Sequence, residues 1–180
     1  EKKYVIENMC LAFNLVKPDK EDVVVVLDGD DWFAGKTVLS ILNETYNKEQ
    51  CWLTYGSYVE YPSMTVGKFA KKIPEQVIEQ NAIRRFHWVT GHLQTFKFGL
   101  WQNLDKEKSF KEPNSPHKDH HFMYGWDLAW MIPLVELAGK KSHYIADILY
   151  VYNRENPLNC DKVKHSQQLL TEQTVRSMAR

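Results

Sequence analysis

Apolar positions recur at helical spacing in the first segment, where Val5, Met9, Ala12, Phe13 and Val16 share one face and Pro18 with Asp19 ends the run. Residues 23–27 follow as Val-Val-Val-Val-Leu. A β-branched run without polar alternation predicts a strand covered on both faces, as in a mostly parallel sheet flanked by helices. Beyond it the pattern predicts a helix over 35–47, with Val38, Leu39, Ile41 and Leu42 for its buried side, and a Tyr/Thr-rich strand over 52–60. A short strand is expected near 93–96, with a helix after Lys97. Residues 126–138 are apolar nearly all round, contain Pro133 and stop at Gly139, which predicts a buried, kinked helix. A strand over 143–152 and a polar helix from Cys160 complete the chain. Two stretches read as connections. Pro62, Gly67 and Pro74 lie among lysines in a long mobile segment over 62–80, and Pro113, Asn114, Ser115 and Pro116 mark a loop over 105–121. A domain that opens with a helix feeding a central strand is expected to lack a preceding strand.

The 180 residues fit a single domain with a sizeable core, spanning 1–180. Lys plus Arg and Asp plus Glu both number 23, so no broad field favours nucleic acid or an anionic membrane. No apolar stretch approaches the length of a membrane span. Aromatic residues make up 13% of the chain, with six Trp and nine Tyr, more than a core alone needs and suited to stacking on flat or sugar-like ligands. Cys10, Cys51 and Cys160 form an odd, widely spaced set. That pattern argues for free thiols in a reducing compartment, hence a cytoplasmic protein, and against a disulfide frame.

The Val-rich strand ends in Asp28-Gly29-Asp30-Asp31. In open α/β sheets the carboxyl ends of strands are where ligands bind. Three clustered carboxylates repel one another unless a cation neutralises them, which points to a divalent metal holding a phosphorylated substrate. A helix cap is the competing explanation, although one Asp would suffice for it. Asp127 opens the apolar helix. There it either complements the helix N-terminus or serves as a base across a pocket from the metal. His117, Asp119, His120 and His121 offer transition-metal donors, but their crowding in a polar loop favours a solvated segment. Lys68, Lys71, Lys72, Arg84 and Arg85 read either as phosphate contacts or as a solvated charged face.

Three features in order, the acid-tipped strand, Trp126-Asp127 before a helix, and the strand end Leu149-Tyr150-Val151-Tyr152-Asn153, resemble the GT-A fold of glycosyltransferase family 2. The resemblance covers most of the chain and is weakest over 62–120. It implies a GT-A-like three-layer sandwich whose mostly parallel central sheet is flanked by helices, lacking the first strand or strands. It implies that Asp28 and Asp30 bind Mn²⁺ or Mg²⁺ and, through it, the diphosphate of a nucleotide-sugar donor, with Asp31 in support. Asp127 would be the general base of an inverting transfer to a hydroxyl acceptor on a glycan, a protein or a small molecule. Trp126 stands where the family often has a second acid. Thr90-Gly91-His92 resembles the turn beside the donor sugar, residues 105–121 a lid, and Glu155 or Asn156 falls where relatives place a metal-binding His. Two other classes share parts of the pattern: a haloacid dehalogenase-type phosphohydrolase with Asp28 as nucleophile, and a sugar-binding GT-A-like domain without turnover.

Overall fold

The computed structural model describes residues 4–112 and 121–178. Pro113 to Pro116, together with His117, Asp119 and His120 of the polar cluster weighed above, lie outside the described residues.

Helix α1 (Val5–Val16) turns Ile6, Val5, Met9 and Phe13 toward the core and leaves Leu15 and Val16 exposed. It ends at Lys17, which takes a left-handed conformation with φ 51°. Strands β1 (Val23–Val26) and β2 (Trp32–Phe33) flank the acidic turn, and α2 (Val38–Glu49) follows. Next come β3 (Leu53–Tyr61), β4 (Thr65–Val66), α3 (Glu75–Glu79), β5 (Gln94–Lys97), α4 (Phe98–Asn103) and α5 (Lys106–Phe110). The chain closes with α6 (Trp126–Ala138), β6 (Ser142–Asn153), α7 (Cys160–Val163) and α8 (His165–Ser177).

These strands form one mixed sheet in the order β1-β5-β3-β6-β2, with β4 added to β3. Among the described residues β3 and β6 make the one parallel pairing, and the other neighbours run antiparallel. The expected mostly parallel sheet is therefore corrected to a mixed one. The apolar run does pack on both sides, with Val24 and Val26 on one core and Val25 on the other. Coverage of both faces calls for helices on both faces, and it leaves strand direction open. Nor is β1 central. It stands at the end of the sheet path, and Val23 is 37% exposed.

The larger core lies on one sheet face, where Trp101, Phe110 and Trp130 pack among residues of α1, α4, α5 and α6. Phe13 of α1 meets Phe98 at 5.1 Å and Trp101 at 5.0 Å between ring centroids. The smaller core joins Val38 and Leu42 of α2 to Tyr58, Leu93, Ile145, Leu149 and Tyr150. Arg84 holds Glu136 of α6 through paired 2.9 Å hydrogen bonds and also donates to the Val175 carbonyl, which fastens α8 to the larger core. Residues 62–80 run mostly exposed over the surface and are anchored at two points. Ala70 and Ile73 are buried, Ala70 bridges to Thr90, and the Ile73 N–H donates to the Tyr55 hydroxyl at 2.9 Å.

The register of β3 against β6 shifts once the strands reach the middle of the sheet. While β3 advances from Gly56 to Tyr58, β6 advances from Ile145 to Tyr150. A Cβ on Gly56 would lie 2.8 Å from the Ile145 carbonyl oxygen, so the bulge requires glycine there. Beyond the bulge, Tyr150 to Asn153 run level with Tyr58 to Tyr61.

Candidate active site

The acidic residues occupy the turn between β1 and β2, closed by a hydrogen bond from the Asp31 N–H to the Asp28 carbonyl at 3.2 Å. The end of β6 organises this turn. The Tyr150 hydroxyl donates to Asp31 Oδ2 at 2.6 Å and accepts the Asp28 N–H at 3.3 Å, while the Asn153 N–H donates to Asp31 Oδ1 at 2.8 Å. One residue of the sheet thus fixes both ends of the acid motif. The loop after β6 then folds back, and the Asn156 amide donates to Asp30 Oδ2. That loop is itself braced. The Asn159 amide donates to the Asn153 carbonyl, Arg154 pairs with Asp161, and the Lys162 ammonium donates to the carbonyls of Arg154 and Asn156.

Asp127, on α6, lies within the electrostatic field of these acids. Gly125 precedes α6 with φ 62°, a left-handed conformation that glycine adopts freely, and delivers Asp127 into the first helical turn. Burial pushes the Asp127 carboxyl up to about 6, against the stabilising N–H groups of Leu128 and of Asp127 itself. Asp28 is pushed up to about 7, first by burial and then by the charges of Asp31, Asp127 and Asp30. Four carboxylates from two elements therefore share one electrostatic neighbourhood. Burial also raises Asp31, partly offset by its bonds from Tyr150 and Asn153. The Cys160 thiol is raised by burial and by Asp161, Asp28, Asp127 and Asp30, which places it within the field of the acids.

His92 lies behind this cluster. It stacks on Tyr150 at 4.4 Å and 11°, lies near-parallel to Tyr152 at 5.8 Å and meets Tyr58 edge-on. Burial lowers it to about 4, so it is neutral at physiological pH, and its Nδ1 is buried without a partner among the described residues. Gly91 allows a close approach, as expected from its residue type, and the approach seen is to protein. A Cβ there would lie 2.8 Å from the Tyr58 ring and 2.9 Å from the Phe69 carbonyl. Of the two residues weighed beside the metal, Asn156 meets Asp30, while Glu155 is exposed and uses its backbone N–H to bond Asn153. His121 faces α1, its Nδ1 3.6 Å from Glu7. Arg84 is spent on Glu136, and Lys72 lies 3.8 Å from Glu75.

Sequence reasoning missed Tyr150 as the anchor of the acids and read Cys160 as a free thiol without placing it in their field. A tyrosine spaced three residues before an asparagine on a strand end carries no chemical signature by itself. Register with the acidic turn gives it one.

Among the described residues no three His, Cys, Asp or Glu side chains form a ready metal cage. The hard oxygens in this turn are the carboxylates of Asp28 and Asp30, and the Asn156 amide turns its N–H group to Asp30 while its oxygen accepts the Leu158 N–H at 2.9 Å. Mg²⁺ is commonly held by one or two carboxylates and completed by substrate phosphates and water, so this set fits such an ion. A cavity of about 460 Å³ lies at the other end of β6, lined by Tyr55, Ile73, Ile78, Ser142, His143 and Tyr144, and none of the four acids borders it. Comparison with known proteins returns no matching family model and no matching curated protein. No helix among the described residues is long and apolar enough to cross a membrane.

Proposed function

We propose that this chain is a glycosyltransferase domain of the GT-A kind, similar to family 2, that moves a sugar from a nucleotide-diphosphate donor to a hydroxyl acceptor with inversion. The observation that carries this reading is the grouping of Asp28, Asp30 and Asp31 in one turn within the field of Asp127, where burial first and these charges second raise Asp28 to about 7. Like charges gathered in one turn, with Asp28 and Asp31 partly buried, favour a neutralising cation, and a cation beside acids at a strand end suits a diphosphate. Asp28 and Asp30 would hold Mn²⁺ or Mg²⁺, with Asn156 adjoining. Such an ion supplies charge stabilisation for a departing nucleoside diphosphate.

The remaining work falls to protein groups. Asp31, held by Tyr150 and Asn153, sets the direction of the acidic turn. Asp127, raised to about 6, ionises just below neutral pH and then accepts the proton of an acceptor hydroxyl. Attack opposite the leaving group inverts the anomeric centre. The mixed sheet with helices on both faces is compatible with a GT-A-like sandwich, its β3–β6 parallel pair forming the spine. The cysteines are unpaired, which suits a cytoplasmic setting.

A panel of nucleotide sugars with Mn²⁺, scored for release of nucleoside diphosphate, tests the proposal. Turnover should require the cation and fall by about 10²–10⁴ in Asp127→Asn, the range for losing a positioned general base. Turnover indifferent to chelation would refute the cation, and Asp127→Asn at wild-type rates would refute the base.

A further inference from the structure

Beyond Asn153 the chain turns on asparagine side chains. Asn153 Oδ1 accepts the Glu155 N–H at 3.1 Å, and Asn156 Oδ1 accepts the Leu158 N–H at 2.9 Å, each bond closing a tight turn two residues long. The base of this loop is secured twice. Asn159, 7% exposed, donates to the Asn153 carbonyl at 2.8 Å, and the Asn153 N–H donates to Asp31 Oδ1 at 2.8 Å. The tip is held less firmly. Glu155, Pro157 and Leu158 are exposed, and Lys162 reaches the Asn156 carbonyl at 3.1 Å. Among the described residues, the bond that ties this tip to the acidic turn is the donation from the Asn156 amide to Asp30 Oδ2.

The sense of that amide is fixed by chemistry at both of its ends. With Nδ2 toward Asp30 and Oδ1 toward the Leu158 N–H, each pairing joins a donor to an acceptor. Turned over, the amide would set its oxygen against a carboxylate and its NH₂ against an N–H, two repulsive contacts. Asn156 therefore offers Asp30 protons, and its lone pairs are spent elsewhere. An N–H directed at a carboxylate partly neutralises it, as a cation would more strongly.

We infer that Asn156 stands in for the cation: the loop over 154–159 latches onto Asp30 in the metal-free protein, and Mg²⁺ or Mn²⁺ displaces the latch. The inference rests on the metal reading above and deepens it by naming what the ion competes with. A divalent ion on Asp30 meets the positive end of the Asn156 N–H dipole, so one leaves as the other arrives. The loop tip then moves without its base, because Asp31 keeps its own bonds from Tyr150 and the Asn153 N–H. Asn156 thus lowers the affinity of the site for metal, the opposite of what a ligand does.

That difference in sign is the test. Calorimetry should show Mn²⁺ binding about threefold to tenfold tighter in Asn156→Ala than in wild type, the lower end of what a hydrogen bond to a charged group is worth. The side-chain amide resonance of Asn156 in the ¹⁵N-labelled chain, assigned by its loss in Asn156→Ala, supplies a second readout. It should move toward the position of a solvent-exposed amide as MgCl₂ is added, and Asp30→Ala should place it there without metal. Weaker Mn²⁺ binding in Asn156→Ala would overturn the inference by making Asn156 a ligand, and equal binding would overturn it by removing the competition. So would an Asn156 resonance indifferent to both Mg²⁺ and Asp30→Ala. Absence of Mn²⁺ and Mg²⁺ binding in wild type and Asn156→Ala alike would instead refute the metal reading on which the latch depends.

Discussion

Replacing Asp127 by Asn should stabilise the protein while removing the proposed base. Asp127 has its carboxyl raised from an ordinary 3.8 to about 6, so the folded state resists its ionisation. At about 1.4 kcal/mol per pH unit, that displacement corresponds to about 3 kcal/mol of stability withheld once the pH exceeds 6. The direction follows from linkage. A carboxyl raised in the folded state contributes fully below its unfolded value of 3.8, and the contribution is lost as pH rises through 6. Asparagine keeps the carbonyl that accepts helix N–H groups but cannot ionise. Because Asp127 retains some solvent contact, screening reduces the expected gain to about 1–2 kcal/mol, or about 2–8 °C in Tm for a chain of this size. Thermal and urea melts in EDTA at pH 8 and pH 4 provide the assay. The variant should lead at pH 8 and converge with wild type at pH 4. A variant no more stable than wild type at pH 8, or a lead that persists at pH 4, would refute the electrostatic account of Asp127.

The same carboxyl predicts that kcat/KM falls about tenfold per pH unit below pH 6, as Asp127 protonates; a flat profile down to pH 5 would exclude it as the base. Tyr150→Phe deletes the donor to Asp31 and the acceptor of the Asp28 N–H. It should cost about 1–3 kcal/mol and weaken Mn²⁺ binding measured by calorimetry, and unchanged affinity would show that the hydroxyl does not position the acids. Glu136→Ala leaves Arg84 without its carboxylate where the two side chains are 11% and 10% exposed. A loss of about 3–5 kcal/mol is expected in urea melts, and a loss below 1 kcal/mol would mean that water reaches the guanidinium.

Much of the fold could be read from period and punctuation. The buried helix from Trp126 to Ala138 ends at Gly139 where the residue types said it would, and the Tyr-rich strand lies within one residue of its expected bounds. Strand direction could not be read. The Val run reports only that apolar groups cover it, and β5, its antiparallel neighbour, was expected as a short strand near 93–96 without any sign of its direction. The segment over 62–80 runs mostly exposed over the surface, as Pro and Gly among lysines suggested, and it is anchored at two points. Here Ala70 and Ile73 pin it. At the site, Asp28, Asp30, Asp31 and Asp127 could be singled out because carboxylate clustering next to an apolar strand is unusual, and the structure puts them in one electrostatic neighbourhood. Tyr150 and Cys160 were not, because their relation to the acids is created by pairing across more than a hundred residues of chain.

The bulge between Ile145 and Tyr150 has an implication for how this domain tolerates change in length. Side chains alternate along a strand, so deleting a single residue between those positions would turn Tyr150 away from Asp31 and present Val151 to the carboxylates in its place. Natural variants of this domain are therefore free to drift in sequence at Ala146 and Asp147, both solvent-facing. Insertions and deletions should be purged there, well away from any reacting atom.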